Sequence, residues 1–181
     1  MDDRRRQFET HALPHLDAAY NLARWLTRSP ADADDIVQDA LLRAYRSFHT
    51  FRGGDIKPWL LAIVRNCFLS SRTPARRNPV VRLTEHGAAP GGPEQVDDAP
   101  DPENLALRAD HGRKLNLVIE TLPQEFREVL VLREIEDLSY RDIAEITAVP
   151  IGTVMSRLAR ARVLLRERWF SEFEGVRRGL Q

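Results

Sequence analysis

The chain of 181 residues has one cysteine, Cys67, so no intrachain disulfide can form and no group of thiols exists to hold a structural zinc. It lacks any apolar run approaching the roughly 20 residues that span a bilayer. Its start, Met1 to Arg6, leads into polar sequence rather than the apolar core of a signal peptide. A cytoplasmic protein with no membrane insertion is therefore expected, its fold resting on apolar packing. No nucleophile elbow and no phosphate-cradling glycine loop occurs. His11 and His15 stand four apart with Glu9 and Asp17 nearby, a spacing that can present two metal ligands, but Pro14 lies between them. His49, His86 and His111 occur in no ligand spacing. No catalytic residue, no metal and no cofactor is expected.

Net charge is also absent, with 27 Lys and Arg against 27 Asp and Glu, yet the charges are segregated along the chain. Arg65, Arg72, Arg76, Arg77 and Arg82 fall in a stretch without an acid. Glu85, Glu94, Asp97, Asp98, Asp101 and Glu103 follow without a base. From Ile151 to Arg168 five arginines face Glu167 alone. Local fields of this kind can bind phosphate although the total is zero. Arginine outnumbers lysine throughout, so placement rather than number carries the argument.

Six of the eleven prolines lie between Pro74 and Pro102, with Gly87, Gly91 and Gly92 and few large apolar residues. That composition marks a linker over 74–101, between units at 1–73 and 102–181. Both flanking segments repeat apolar residues at three and four, with no sustained alternation, which predicts an all-α fold of two small helical domains. In the first, Leu13, Leu16, Tyr20, Ala23 and Leu26 form one stripe, and Pro14 starts or kinks its helix. Ser29, Pro30 and Asp32 read as an N-cap, a first-turn proline and a capping acid. They open a helix burying Ile36, Val37, Ala40, Leu41, Ala44, Tyr45 and Phe48. Gly53 and Gly54 break the pattern, and Asp55 caps a helix burying Trp59, Leu60, Ile63, Val64 and Cys67. Cys67, on that apolar side, is expected to be buried and inert.

In the second domain Asp101 and Pro102 open a helix running through Leu115, Val118 and Ile119 to Leu122. Pro123 restarts the chain into a helix with Phe126, Val129, Leu130 and Arg133, and Ser139 with Asp142 caps the next. From there a short helix with Ile143, Ala144 and Ile146, a turn at Ala148 to Pro150, and a longer helix with Val154, Leu158, Ala161 and Leu165 have helix-turn-helix spacing. Ala148 occupies the turn position where glycine is the easier occupant. Gly152 and Thr153 are expected to leave backbone donors accessible at the second helix's start. The outward positions are Thr153, Met155, Ser156, Ala159 and Arg160, flanked by Arg157 and Arg162, a face able to enter a major groove.

Read together, four motifs resemble the extracytoplasmic-function sigma factors of RNA polymerase over nearly the whole chain. They are Ala33-Asp34-Asp35-Ile36-Val37-Gln38-Asp39, Trp59-Leu60-Leu61-Ala62-Ile63-Val64-Arg65-Asn66, Leu122-Pro123, and Leu138 to Ala144 with Gly152 to Leu158. The resemblance implies that the first domain binds the polymerase core and the promoter's minus-ten element, and that the second reads the minus-thirty-five element. Asp32, Asp35, Gln38 and Asp39 would dock on a coiled coil of the largest polymerase subunit. Lys57, Arg65, Asn66 and Ser70 would serve strand opening, with Asn66 the preferred reader of a flipped base, while Arg72, Arg76 and Arg77 hold phosphates. Trp59 is assigned to the core. On the second domain Met155 would meet a thymine methyl and Arg160 a guanine, with Arg157 and Arg162 on the backbone. The partners so implied are core polymerase, promoter DNA and an anti-sigma factor, with no homo-oligomer. A flexible linker of about 28 residues averages roughly 30 Å in span, with a limit around 90 Å. The competing reading is a free-standing helix-turn-helix regulator that binds its operator without polymerase.

Overall fold

The computed structural model describes residues 2–72 and 102–174, and every regular element among them is helical. The chain opens with α1 (Asp2–Ala12), passes through a 3-10 turn at Leu13–His15 and continues as α2 (Leu16–Thr27). Pro14 lies in that turn, where its missing N–H and fixed φ favour a break over a continuous helix. The expected stripe is corrected at one position: Leu13, in the turn, is exposed, whereas Leu16 and Tyr20 are half-buried against the core and Ala23 and Leu26 are buried, together with Ala18, Ala19 and Leu22, which the stripe left out.

Helix α3 (Pro30–Ser47) begins where expected, with the Asp32 N–H donating to Ser29 Oγ at 3.3 Å. It buries Ala33, Ile36, Val37, Ala40 and Ala44. Leu41 and Phe48 are only half-buried, and Tyr45, read as core, is exposed with the Arg4 guanidinium over its ring. Gly53 and Gly54 both adopt positive φ, 87° and 92°, a conformation that strains any residue with a Cβ. Asp55 then caps α4 (Ile56–Ser71), accepting from the Lys57 N–H at 2.9 Å. Trp59 is half-buried against the core in an aromatic group with Phe48 and Phe51. Besides Leu60, Val64 and Cys67, α4 buries Ile56, Leu61 and Phe68, none of which the stripe included. The reason is tertiary: α4 is covered by α2 and α3 and also by a helix of the second unit.

That second unit comprises α5 (Pro102–Thr121), α6 (Gln124–Leu130) continuing as a π-helical stretch Val131–Ile135, α7 (Tyr140–Thr147) and α8 (Ile151–Trp169). Pro123 separates α5 from α6. The carbonyls left over at the end of α5 are met by Arg127, 2% exposed, whose Nη1 donates to the carbonyls of Glu120 and Leu122, each at 3.0 Å. Burial, with Arg28 adding to it, pulls the Arg127 guanidinium down to about 10, which leaves it charged at neutral pH. Helix α4 packs on α7 and α2 on α6, so the buried apolar residues of both units form one continuous cluster. The linker, Asp101, Arg76, Arg77 and Leu180 lie outside the described residues.

Candidate nucleic-acid interface

Two reciprocal bonds start the helix-turn-helix. The Asp142 N–H donates to Ser139 Oγ at 3.1 Å, and the Ser139 N–H donates to Asp142 Oδ2 at 3.2 Å. Helix α7 ends at Ala148, left-handed at φ 53° and ψ 42°, with the N–H groups of Ala148 and Val149 both reaching the Ala144 carbonyl. Pro150 turns the chain into α8. Buried Ile143, Val154 and Leu158, with half-buried Ala144 and Val149, occupy the angle between the two helices. One expectation is corrected here: the Thr153 N–H is not an accessible donor, because it bonds the Pro150 carbonyl at 2.9 Å. A proline at the helix start supplies a carbonyl within reach, closing the first turn on itself.

Along α8, Met155, Ser156, Ala159 and Arg160 are exposed and Thr153 is half-buried. Arg160 has no ion pair among the described residues. The flanking arginines are engaged within the unit: Arg157 lies 3.6 Å from Glu125, and Arg162 donates to Glu134 at 2.6 Å, a bond that raises its pKa. The exposed face is thus Ser156, Ala159, Met155 and a guanidinium without an ion pair among the described residues, bordered by arginines whose acids a phosphate would have to replace.

On the first unit, α4 carries Lys57 at its first turn, Arg65 and Asn66 past its middle, and Ser70 and Arg72 at its end. Asn66 is exposed, with its backbone carbonyl accepting from Ser70 Oγ at 2.8 Å. Lys57 and Arg65 are mostly covered, and each meets a carboxylate of the second unit: Glu136 at 3.0 Å and Glu128 at 2.6 Å. Arg72 stacks on Phe68 and donates to Gln124. These acids escaped the sequence reading because they stand 79 and 63 residues from their partners, and no local pattern links them.

Asp32, Asp35 and Gln38 are exposed on α3, and Asp39 is half-buried, held by Arg43 at 2.7 Å. Asp32, Asp35 and Asp39 line one cleft together with Arg43, Cys67, Arg72 and Arg127. Cys67 itself is 2% exposed, and burial, reinforced by the Asp39 charge, pushes its thiol up to about 12. His11 and His15 lie on either side of the break at Pro14, in α1 and in the 3-10 turn. The His11 Nδ1 is 2.7 Å from the Gln7 carbonyl, and no group of three potential ligands occurs among the described residues.

Fold and site define a class, two helical units of which one carries a helix-turn-helix and the other a long helix with cations on it. The family description "Sigma-70 region 2" matches residues 12–78, and "Sigma-70, region 4" matches residues 112–165. The ECF RNA polymerase sigma-E factor of Haemophilus influenzae is 36% identical over 147 residues, 80% of this chain and 77% of that protein. The ECF RNA polymerase sigma factor SigE of Mycolicibacterium smegmatis is 35% identical over 154 residues, 84% of this chain but only 58% of that longer protein. Among solved structures, the sigma factor RpoE of Bartonella quintana, in complex with the anti-sigma factor NepR, superposes with a TM-score of 0.64 at 27% identity, covering 89% of this chain and 95% of that one. CnrH, in complex with the cytosolic domain of CnrY, shares the fold at a TM-score of 0.63 and 22% identity, over 93% and 90% of the two chains. The chain belongs to the ECF RNA polymerase sigma factors.

Proposed function

We propose that this chain directs core RNA polymerase to particular promoters and helps to open them. The observation that carries the reading is the exposed α8 face of Met155, Ser156, Ala159 and Arg160 behind a closed helix-turn-helix, in a chain of this family. In the major groove, Arg160 suits the two acceptors of guanine and Met155 the methyl of thymine. Arg157 and Arg162, released from Glu125 and Glu134, hold phosphates. The first unit acts on the minus-ten element, where extruding a base costs a few kcal/mol of stacking. Asn66 is suited to return part of that cost, since its amide both donates and accepts. Lys57, Arg65, Ser70 and Arg72 flank it on α4. Asp32, Asp35, Gln38 and Asp39 dock the unit on the polymerase's coiled coil, and the chain performs no chemistry of its own.

The unit boundaries consistent with this division are 1–73 and 102–181, with 74–101 between them. An anti-sigma factor is the expected antagonist, by likeness to the RpoE–NepR complex. The setting is the cytoplasm, where the polymerase works; among the described residues no helix is long and apolar enough to cross a membrane. The deciding experiment is run-off transcription on genomic fragments with purified core enzyme. Promoter-specific transcripts that require the chain are expected. Tight operator binding without core, and no transcripts with it, would favour the free-standing regulator instead.

A further inference from the structure

The carbonyls of Tyr45 to Phe48 end α3 without a further helical turn to bond them, and each finds a partner. The Phe51 N–H donates to the Phe48 carbonyl at 3.1 Å and Thr50 Oγ1 to the Ser47 carbonyl at 2.7 Å, both from the turn that follows. The carbonyls of Tyr45 and Arg46 are reached from 41 and 42 residues away, by Arg4 Nη2 of α1 at 3.1 and 3.0 Å. A guanidinium at the negative end of a helix is favoured by its dipole as well as by the bonds.

One turn along α1, Phe8 is 7% exposed and stands edge-on to Tyr45 and Phe48, at ring distances of 5.4 and 5.5 Å. Phe48 stacks on Phe51 at 6.0 Å, and Phe51 meets Trp59 of α4 at 5.5 Å. A continuous row of rings therefore runs from α1, across the end of α3, to the start of α4. Between α3 and α4 the chain is exposed from Arg52 to Asp55. Gly53 and Gly54 have positive φ there, and a Cβ added to either would meet nothing within 4 Å, so no packing clamps the loop at that point. Its course is set at its two ends, by the row of rings and by the Asp55 cap on α4. Arg4 and Phe8 precede residue 12, where the match to the region 2 description begins.

The loop leads into α4 at Lys57, beside the surface proposed to act on the minus-ten element. Contacts that are ordered in advance return more of the cost of unstacking a base than contacts that must first be ordered. We propose that α1 is a brace that sets the α3–α4 loop for strand opening, with Arg4 and Phe8 as positioning residues that do not themselves touch DNA. The brace rests on the reading of the first unit given above. Arg4 is exposed, so its loss leaves the core intact and removes only the anchor.

Amide hydrogen exchange of the free, full-length chain tests the brace without transcription. In Arg4→Ala the amides of residues 51–57 should exchange about fivefold faster than in the wild type, with those of α8 unchanged. On a duplex promoter found by run-off transcription, permanganate reactivity of the minus-ten thymines should fall about fivefold, while affinity for core polymerase keeps its wild-type value. A template already mismatched over the minus-ten element should restore transcription, which a folding or docking defect would not permit. Arg4→Lys, which keeps the charge, should lie between. Phe8→Leu carries the same comparison through the row of rings if Arg4→Ala does not fold. Unchanged exchange over 51–57 overturns the brace, as does an opening defect that persists on the mismatched template. Faster exchange with undiminished opening confines α1 to stability and overturns the positioning role. Faster exchange in a chain whose wild type gives no promoter-specific run-off upholds the brace and removes the minus-ten reading beneath it.

Discussion

Single residues show where the chain accepts a local cost. Ala148 holds a left-handed conformation that disfavours any residue with a Cβ, by roughly 1–2 kcal/mol, because Val149 and Pro150 must turn sharply into α8. Glycine removes that strain but adds freedom to the unfolded chain, so Ala148→Gly should stabilise by a net ~0.5 kcal/mol. Urea unfolding should show a later midpoint with an unchanged slope. Cys67 gives a second residue-level expectation. With its thiol pushed up from 9.0 to about 12, the folded protein holds the proton that the unfolded chain releases first. This contribution to stability is complete below pH 9 and declines as pH rises towards 12. Alkylation by iodoacetamide at pH 8 should be slow in the native protein and fast in urea; rapid native labelling would contradict the burial of Cys67.

At the scale of the element, the proposed reading of α8 separates base contacts from phosphate contacts. Arg160, exposed and unpaired among the described residues, should behave as a base reader. Arg160→Ala is expected to cost about 1–3 kcal/mol on the preferred promoter and to relax preference at one position. Arg157→Ala should weaken all sequences alike and flatten the salt dependence. Competition titrations with a set of single-base promoter variants, repeated at two salt concentrations, separate the two patterns. Helix α3 is proposed to dock on the polymerase, so Asp32→Lys with Asp35→Lys should abolish co-purification with core polymerase while leaving α8 folded and its face intact. Retained association would move the docking surface elsewhere. Both helices were legible from sequence because their signals are local: Ser29 and Ser139 accept from the N–H three residues on, and the apolar spacing of three and four marks the buried side. The α1–α2 junction was less legible, since the extent of the 3-10 turn around Pro14, which leaves Leu13 exposed, has no signal in a stripe drawn through Leu13.

For the whole molecule, the relation between the units governs what each can do. A chain in which Lys57 and Arg65, proposed to contact DNA, pair internally should respond to salt in two opposing ways. Salt screens phosphate contacts, and it also weakens the partly exposed Lys57–Glu136 pair. The radius of gyration of the free protein should therefore rise between low and high salt, whereas a chain without interdomain ion pairs would show no such trend.

What the amino-acid order determined alone is everything enforced over a few residues. The caps at Ser29, Asp55 and Ser139 belong here, as do the breaks at Pro14, Pro123 and Pro150, the spacing of the helix-turn-helix, and the motifs that place the chain in its family. Only the tertiary structure decided which charges face one another. Glu128 and Glu136 belong to no motif in the sequence, and become the buried partners of Arg65 and Lys57 once α4 meets the second unit. The physical reason is range: capping and helical periodicity act within one or two turns, while an ion pair across 63 or 79 residues exists only after packing brings its members within 3 Å.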